Sequence, residues 1–224
     1  MEYSFAKHLN LEIAEYDRII REFIPGYEEM LVQAAEAVAA VTPSLVLDLG
    51  AGTAALSEQV LARTDDTVVE QWDIDPAMLD QAQPRIERFG PRAVPRVRSY
   101  LDPFPACDAI MGSLALHHIP TMEGKRELYA RAFEALRSGG ALVIADATMP
   151  TDEAGKRAGF QHWADHMGRH GIPEKRAFEH FEEWSGEDTY FPLEIEVAAL
   201  EGVGFGVTVP WRDGPSTVIV ASRP

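Results

Sequence analysis

The alternation of strand-like and helix-like segments over residues 44–148 constrains the fold of this chain more than any other feature. Short apolar runs such as SLVLDLG, at residues 44–50, alternate with longer segments whose apolar residues have helical spacing. Almost wholly apolar runs are typical of strands covered on both faces. Because strands joined by crossover helices run parallel, the pattern predicts a doubly wound, mainly parallel α/β sheet.

The flanking segments complete the predicted architecture. Helical spacing predicts two N-terminal helices, over 10–24 and 27–41, and two polar helices in the segment that follows the fifth strand. Two apolar runs near the end of the chain are separated by the turn signal RDGP, which predicts an antiparallel hairpin. The predicted fold is therefore a Rossmann-like, mainly parallel seven-stranded sheet with a C-terminal antiparallel hairpin. Its predicted parts are a helical cap over 1–43 and a Rossmann-like domain over 44–224, with 151–190 as a helical lid insertion.

Composition limits the possible partners and location. The 224 residues carry a formal net charge of −16, which repels nucleic-acid backbones and anionic membranes. Cys107 is the single cysteine, so no intrachain disulfide can form. No stretch approaches the roughly 20 apolar residues that span a bilayer. We therefore expect a cytoplasmic protein with no membrane partner and no general affinity for nucleic acids.

The loop after the first predicted strand indicates a ligand site. Residues 45–56, LVLDLGAGTAAL, contain the loose dinucleotide fingerprint Gly50-x-Gly52-x-x-Ala55, and Asp73 follows about 20 residues later. The same residues are also compatible with a tight turn that binds nothing. Asp48 lies beside the loop, where a carboxylate disfavours a pyrophosphate and favours a cation such as an ammonium or a sulfonium. The pattern therefore favours a cationic ligand over NAD.

Four motifs, taken in order, resemble those of class I S-adenosylmethionine-dependent methyltransferases: LDLGAGTA, DIDPAML, DAIMGSLALHHI and LRSGGALVIAD. FIPGYEEML and EKR are more loosely similar to a subgroup that contains carboxy-S-adenosylmethionine synthase and small-molecule methyltransferases. The resemblance implies S-adenosyl-L-methionine as cofactor and methyl transfer to a small-molecule acceptor. Alternatives are a carboxy-S-adenosylmethionine synthase or a protein that uses the bound cofactor for a reaction other than methylation.

The resemblance also implies the residues that bind the cofactor. Gly50, Ala51 and Gly52 would surround its methionine end, and Asp73 would accept the ribose hydroxyls while Asp75 caps the next helix. Ser99 stands where the family usually has an acidic residue. Met78 could instead be plain core, and Tyr27 could pack helices. The full set of implied cofactor-binding residues is Tyr27, Asp48, Gly50, Ala51, Gly52, Asp73, Ile74, Met78, Ser99, Tyr100 and Ser113.

Two histidines are the candidate catalytic residues. His117 and His118 follow the fourth strand, at the edge of the sheet where doubly wound folds bind ligands. A histidine near its ordinary pKa suits a general base for a hydroxyl or acidic-carbon acceptor. Many relatives carry a similar pair without using it as a base, so that role is one of two alternatives.

The polar segment after the fifth strand supplies candidate acceptor-binding residues. His162, His166 and His170 are four residues apart and therefore share one helix face, where they could bind a metal, line a pocket or face solvent. Because no Cys or Glu completes a tetrahedral set, we assign no metal to them. Arg176, in EKR, matches the carboxylate-binding position of the carboxy-cofactor enzyme, although an exposed helix arginine is the alternative. The predicted substrate-binding residues are His162, Trp163, His166 and Arg176, and the N-terminal helices suggest a homodimer.

Overall fold

A computed structural model describes residues 15–224, so part of the helix predicted over 10–24 lies outside the described residues. No helix within this range is long and apolar enough to cross a membrane. Short 3-10 turns occur at Glu87–Arg92 and Leu116–His118. The helices and strands are α1 (Tyr16–Phe23), α2 (Tyr27–Ala40), β1 (Leu45–Leu49), α3 (Ala55–Leu61), β2 (Val68–Asp73), α4 (Pro76–Ile86), β3 (Ala93–Val97), β4 (Cys107–Ser113), α5 (Met122–Ala135), β5 (Leu136–Ala147), α6 (Glu153–Arg169), α7 (Glu174–Trp184), α8 (Leu193–Val203), β6 (Gly206–Asp213) and β7 (Ser216–Ser222).

The seven strands form one sheet in the order β3-β2-β1-β4-β5-β7-β6. The first five strands in this order pair in parallel. Strand β7 runs antiparallel to both β5 and β6. The structure thus confirms the predicted mainly parallel sheet with its C-terminal hairpin.

Alternation along the central strands places a hydrophobic layer on each face of the sheet. On β1, Val46 joins the cluster that contains the α2 residues Met30 and Leu31, whereas Leu47 joins the cluster that contains Leu128 of α5. Successive strand residues point to opposite faces, so a fully apolar strand is buried on both sides. Burial on both faces is why these strands have continuous apolar runs in the sequence.

The boundary between α5 and β5 differs from the prediction. RSGG was expected to be the loop that closes the helix, but β5 begins at Leu136 and includes those residues. A Cβ at Gly140 would lie 2.5 Å from the carbonyl oxygen of Asp108, so the backbone of β5 approaches β4 more closely than another residue would permit. Gly140 therefore serves close strand pairing here.

Helices α6 and α7 lie against the N-terminal helix α1. Trp163 of α6 donates its indole N–H to the carbonyl oxygen of Phe23 at 2.6 Å. The rings of Trp163 and Trp184, from α6 and α7, have centroids 5.9 Å apart. Segments far apart in sequence thus form one aromatic layer beside the C-terminal ends of the strands.

Candidate active site

A cavity of about 430 Å³ lies at the C-terminal ends of β1, β2 and β4. This volume falls within the range of roughly 300–1,000 Å³ that is usual for small-molecule sites. We call it the main cavity. All eleven residues that the motif resemblance implied for the cofactor line it, and Tyr16, Arg98, Leu101 and Glu187 add to its wall.

Two glycines of the loop after β1 have backbone conformations that favour glycine. Gly50 has φ +66° and Gly52 has φ +54°. A Cβ at Gly50 would lie 2.7 Å from the Cβ of Ala115, and one at Gly52 would lie 3.4 Å from Met78 Cε. Gly50 is therefore required both by its conformation and by the space around it.

Asp73, at the end of β2, stabilises the loop after β1 by direct hydrogen bonds. One carboxylate oxygen accepts the N–H of Gly52 at 2.8 Å, and the other accepts the N–H of Asp75 at 2.9 Å. Burial raises the pKa of Asp73. Asp75 accepts the N–H of Ala77 at 3.0 Å, which confirms its predicted role as the N-cap of α4.

Asp48 and Ser113 give the main cavity two buried polar groups. Asp48 accepts the Ser57 hydroxyl at 2.6 Å, and burial raises its pKa to about 7. Ser113 Oγ is buried, and none of the residues in 15–224 gives it a hydrogen-bond partner. Because buried polar groups are normally hydrogen-bonded, Ser113 Oγ fits a polar ligand group in the cavity.

Ser99 and Tyr100 lie in the loop after β3. Ser99 Oγ accepts the N–H of Leu101 at 3.0 Å, and the Ser99 N–H donates to the carboxylate of Asp102 at 3.0 Å. The carbonyl oxygen of Tyr100 accepts a hydrogen bond from Arg131 at 2.9 Å. These bonds shape the loop, and both residues line the main cavity.

A smaller cavity of about 40 Å³ adjoins the main cavity. The two share Tyr16, Leu114 and His118 as lining residues. We call the smaller one the aromatic cavity, because most of its wall is made of rings. Those contributed by the helices and the loop after α7 are Tyr16, Phe23, Trp163, Trp184 and Tyr190.

His117 lies at the polar end of the aromatic cavity and is fixed by Asp146. The His117 Nδ1 and Asp146 Oδ1 atoms are 2.6 Å apart, and Asp146 also accepts the N–H groups of Leu116, His117 and Ala147. Burial alone would lower the pKa of His117, but the Asp146 carboxylate and Asp188 outweigh it and the pKa is raised. Burial alone would raise the pKa of Asp146, but His117, Lys125 and the Ala147 N–H together outweigh it and the pKa is lowered.

His118 lies between the two cavities. Burial, together with the neighbouring His117, lowers its pKa. Its ring centroid is 4.2 Å from that of His117. His117 therefore keeps its proton to a higher pH than an ordinary histidine. His118 stays neutral to a lower pH than an ordinary histidine.

Asp188 and Tyr190 are site residues that the sequence did not reveal. Asp188 Oδ1 lies 3.2 Å from His118 Nδ1 and 3.7 Å from His117 Nε2. Tyr190 donates its hydroxyl to Asp188 at 2.6 Å, and the Thr189 N–H donates to the His117 carbonyl oxygen at 2.8 Å. These residues lie in a short polar loop after α7, where no periodicity or motif distinguishes them from ordinary loop residues.

Of the four predicted substrate-binding residues, the structure places Trp163 in the wall of the aromatic cavity. His162 Nε2 lies 2.9 Å from the carboxylate of Asp213 beside a separate surface cavity. His166 Nε2 lies 3.1 Å from the carbonyl oxygen of Arg21. Arg176 is exposed and bound to Glu183 at 2.7 Å. These three residues therefore lie outside the walls of both cavities.

Comparison with known proteins agrees with this arrangement. Residues 46–140 match a family model described as a methyltransferase domain. The match confirms the predicted resemblance to methyltransferases over this part of the chain. No curated protein matches the sequence significantly.

Solved structures share the fold at low sequence identity. An O-methyltransferase family protein from Burkholderia thailandensis has TM-score 0.65 and 21% identity, covering 88% of this chain and 55% of that one. Human N-acetylserotonin methyltransferase, in complex with S-adenosylmethionine, has TM-score 0.67 and 16% identity over 98% of this chain and 58% of that one. This chain thus spans little more than half of those two proteins.

One relative is similar in length. The S-adenosylmethionine-bound amino pentose methyltransferase CalS10 from Micromonospora echinaspora has TM-score 0.63 and 18% identity. The match covers 95% of this chain and 98% of that one. The common fold therefore extends across the described helices as well as the sheet.

Proposed function

We propose that this protein is an S-adenosylmethionine-dependent methyltransferase that acts on a small-molecule acceptor. The observation that supports this most strongly is the main cavity, whose wall contains every residue that the motif resemblance implied for the cofactor. The methyltransferase-domain match over 46–140 supports the same reaction class. The names of the human enzyme and of CalS10 are consistent with small-molecule acceptors.

The chemistry of the main cavity fits this cofactor. Gly50 and Gly52 let the backbone approach a ligand closely, and Asp73 presents a carboxylate suited to ribose hydroxyls. Ser113 Oγ is a buried hydroxyl suited to the amino-acid portion. Asp48 supplies a buried carboxyl group, whose charged form a cation would favour. S-adenosylmethionine, when bound, supplies a methyl carbon already activated by a sulfonium.

The aromatic cavity is proposed to hold the reacting part of the acceptor; at about 40 Å³ it is too small for a whole acceptor molecule. Its rings favour a flat or apolar acceptor, and its position beside the main cavity suits alignment of the acceptor with the methyl group. Trp163 and Trp184 exclude water there, since both are buried. His118 lines both cavities and has a lowered pKa, so it is neutral and able to accept a proton from a hydroxyl acceptor. Asp146 holds the His117 ring in place, and this ring lies against the His118 ring and limits its orientation.

The alternatives have weaker support. Carboxy-S-adenosylmethionine synthesis would use Arg176, which is exposed and bound to Glu183. That enzyme also has an asparagine where this chain has Ser113. NAD would place a pyrophosphate near the buried Asp48. The homodimer, the cytoplasmic location and the absence of nucleic-acid binding stay predictions from the sequence.

Calorimetric titration tests the proposal. S-adenosylmethionine and S-adenosylhomocysteine are expected to bind in the micromolar range, and NAD to give no heat of binding. Asp73→Ala should weaken both by at least about 100-fold, because it removes the carboxylate and releases the Gly52 N–H. Asp80→Ala, on the exposed face of α4, is the matched control and should bind like the wild type. Binding of NAD, or equal affinity in both variants, would contradict the proposal.

A further inference from the structure

Three potential metal ligands meet where the main and aromatic cavities join. His117, His118 and Asp188 each offer one ligand atom, and these atoms all lie within 4.8 Å of one another. The closest pairs are His118 Nδ1 to Asp188 Oδ1 at 3.2 Å and His117 Nε2 to Asp188 Oδ1 at 3.7 Å. Ligand atoms about 2.0–2.1 Å from a tetrahedral metal are roughly 3.3 Å apart, so this spacing needs little rearrangement.

The surroundings of these three residues are those of a supported metal site. Asp146 binds the Nδ1 side of His117, which leaves Nε2 directed at Asp188. Tyr190 binds the second oxygen of Asp188, and the Thr189 N–H ties the Asp188 loop to His117. Carboxylate partners of this kind fix the tautomer and orientation of metal-binding histidines. The ligand side chains are also buried, with exposed fractions of 10%, 12% and 5% for His117, His118 and Asp188.

We propose that His117, His118 and Asp188 bind one divalent transition-metal ion. Two imidazole nitrogens and one carboxylate oxygen suit Zn²⁺, Fe²⁺ or Co²⁺ better than Mg²⁺ or Ca²⁺, which prefer all-oxygen ligand sets. Three protein ligands leave at least one coordination position open, as catalytic metal sites require. All three residues line the aromatic cavity, so that position is accessible from the proposed acceptor site.

The site also indicates the class of acceptor, an inference that rests on the proposed function. A metal here would coordinate an oxygen of the acceptor, such as a phenol or another hydroxyl, and would lower its pKa. The two histidines would then position the acceptor through the metal, instead of one of them taking its proton directly. The metal site itself stands independently of this role.

Direct metal titration tests the site. The full chain is stripped with a chelator and titrated with Co²⁺, and the visible absorption of the bound ion is recorded. One saturable equivalent is expected, displaced by Zn²⁺. His118→Ala and Asp188→Asn should weaken Co²⁺ binding by at least about 100-fold, and Asp146→Asn by about 10–100-fold. His170→Ala, an exposed histidine at the end of α6, should bind Co²⁺ like the wild type.

Each preparation is also titrated with S-adenosylhomocysteine, which separates the two proposals, and its folding is checked by circular dichroism, because His118 itself lines the main cavity. His118→Gln serves as a second variant if His118→Ala does not fold. No saturable Co²⁺ signal in a wild type that binds S-adenosylhomocysteine would overturn the metal site. Wild-type Co²⁺ affinity in a folded His118 variant would overturn it as well. Co²⁺ binding without S-adenosylhomocysteine binding would support the metal site and contradict the proposed function.

Discussion

The main and aromatic cavities adjoin, but the chain builds them in different ways. The main cavity takes most of its wall from the ends of β1, β2 and β4 and the turns that follow them. The aromatic cavity takes most of its wall from α1, α6, α7 and the loop at 186–190, which are far apart in the sequence. The shape of the main cavity therefore depends on local backbone conformation, whereas the shape of the aromatic cavity depends on tertiary packing.

The two cavities should therefore respond differently to amino-acid substitution. In the main cavity, the positive φ of Gly50 and the N–H bond from Gly52 to Asp73 fix the wall within a short stretch of chain. In the aromatic cavity, Trp163 joins α6 to α1 through one hydrogen bond and to α7 through ring contacts. Substitutions in the first should impair ligand binding, whereas substitutions in the second should lower stability.

The largest expected effect is on the aromatic side. Trp163→Ala removes a ring that is 2% exposed and its hydrogen bond to Phe23, so it should lower the free energy of unfolding by about 3–5 kcal/mol. Affinity for S-adenosylhomocysteine should change less than about 3-fold, because Trp163 does not line the main cavity. Urea denaturation and calorimetry measure the two quantities. Trp163→Phe keeps most of the ring and should lose about half as much stability. A large loss of S-adenosylhomocysteine affinity in either variant would contradict the separation of the aromatic cavity, which controls stability, from the main cavity, which controls binding.

The next effect is on the cofactor side. Gly50→Ala places a Cβ 2.7 Å from that of Ala115 at φ +66°, so it should weaken S-adenosylhomocysteine binding by at least about 100-fold. Gly139→Ala is the matched control, because Gly139 also has a positive φ but no atom would meet its Cβ within 4 Å. The control should cost about 1 kcal/mol of stability and leave affinity unchanged. Equal affinity loss in both variants would show that backbone strain, and not the shape of the main cavity, controls binding.

The smallest expected effect is the pH dependence of Asp48. The pKa of this buried carboxyl group is about 7 in the fold, against an ordinary value of 3.8. The folded protein therefore binds more protons than the unfolded chain between these values, so stability is lost as pH rises through that window. Relative to Asp48→Asn, the ligand-free wild type should lose roughly 2–3 kcal/mol between pH 5 and pH 8. Urea denaturation at both pH values checks this, and a constant difference between the two proteins would refute it.

The sequence predicted the sheet and the main cavity well because both depend on short-range patterns. The continuous apolar runs, Gly50, Gly52 and the Asp73–Asp75 pair each have a local physical reason. The resemblance of four ordered motifs to one family then indicated that these residues belong to one site.

The polar end of the aromatic cavity was not predictable in the same way. Asp188 and Tyr190 meet His117 and His118 because α7 packs on α6 and α1, which no spacing in the sequence encodes. Helical spacing did place His162 and His166 on neighbouring turns of one helix. It could not show that they contact Asp213 and the backbone of Arg21.

A crystal structure with S-adenosylhomocysteine bound tests the central claim most directly. We predict density in the main cavity, with the ribose against Asp73, the amino-acid portion near Gly50 and Ser113, and the sulfur facing the aromatic cavity. Density outside the main cavity, or a ligand whose sulfur faces away from His118 and the aromatic rings, would contradict it.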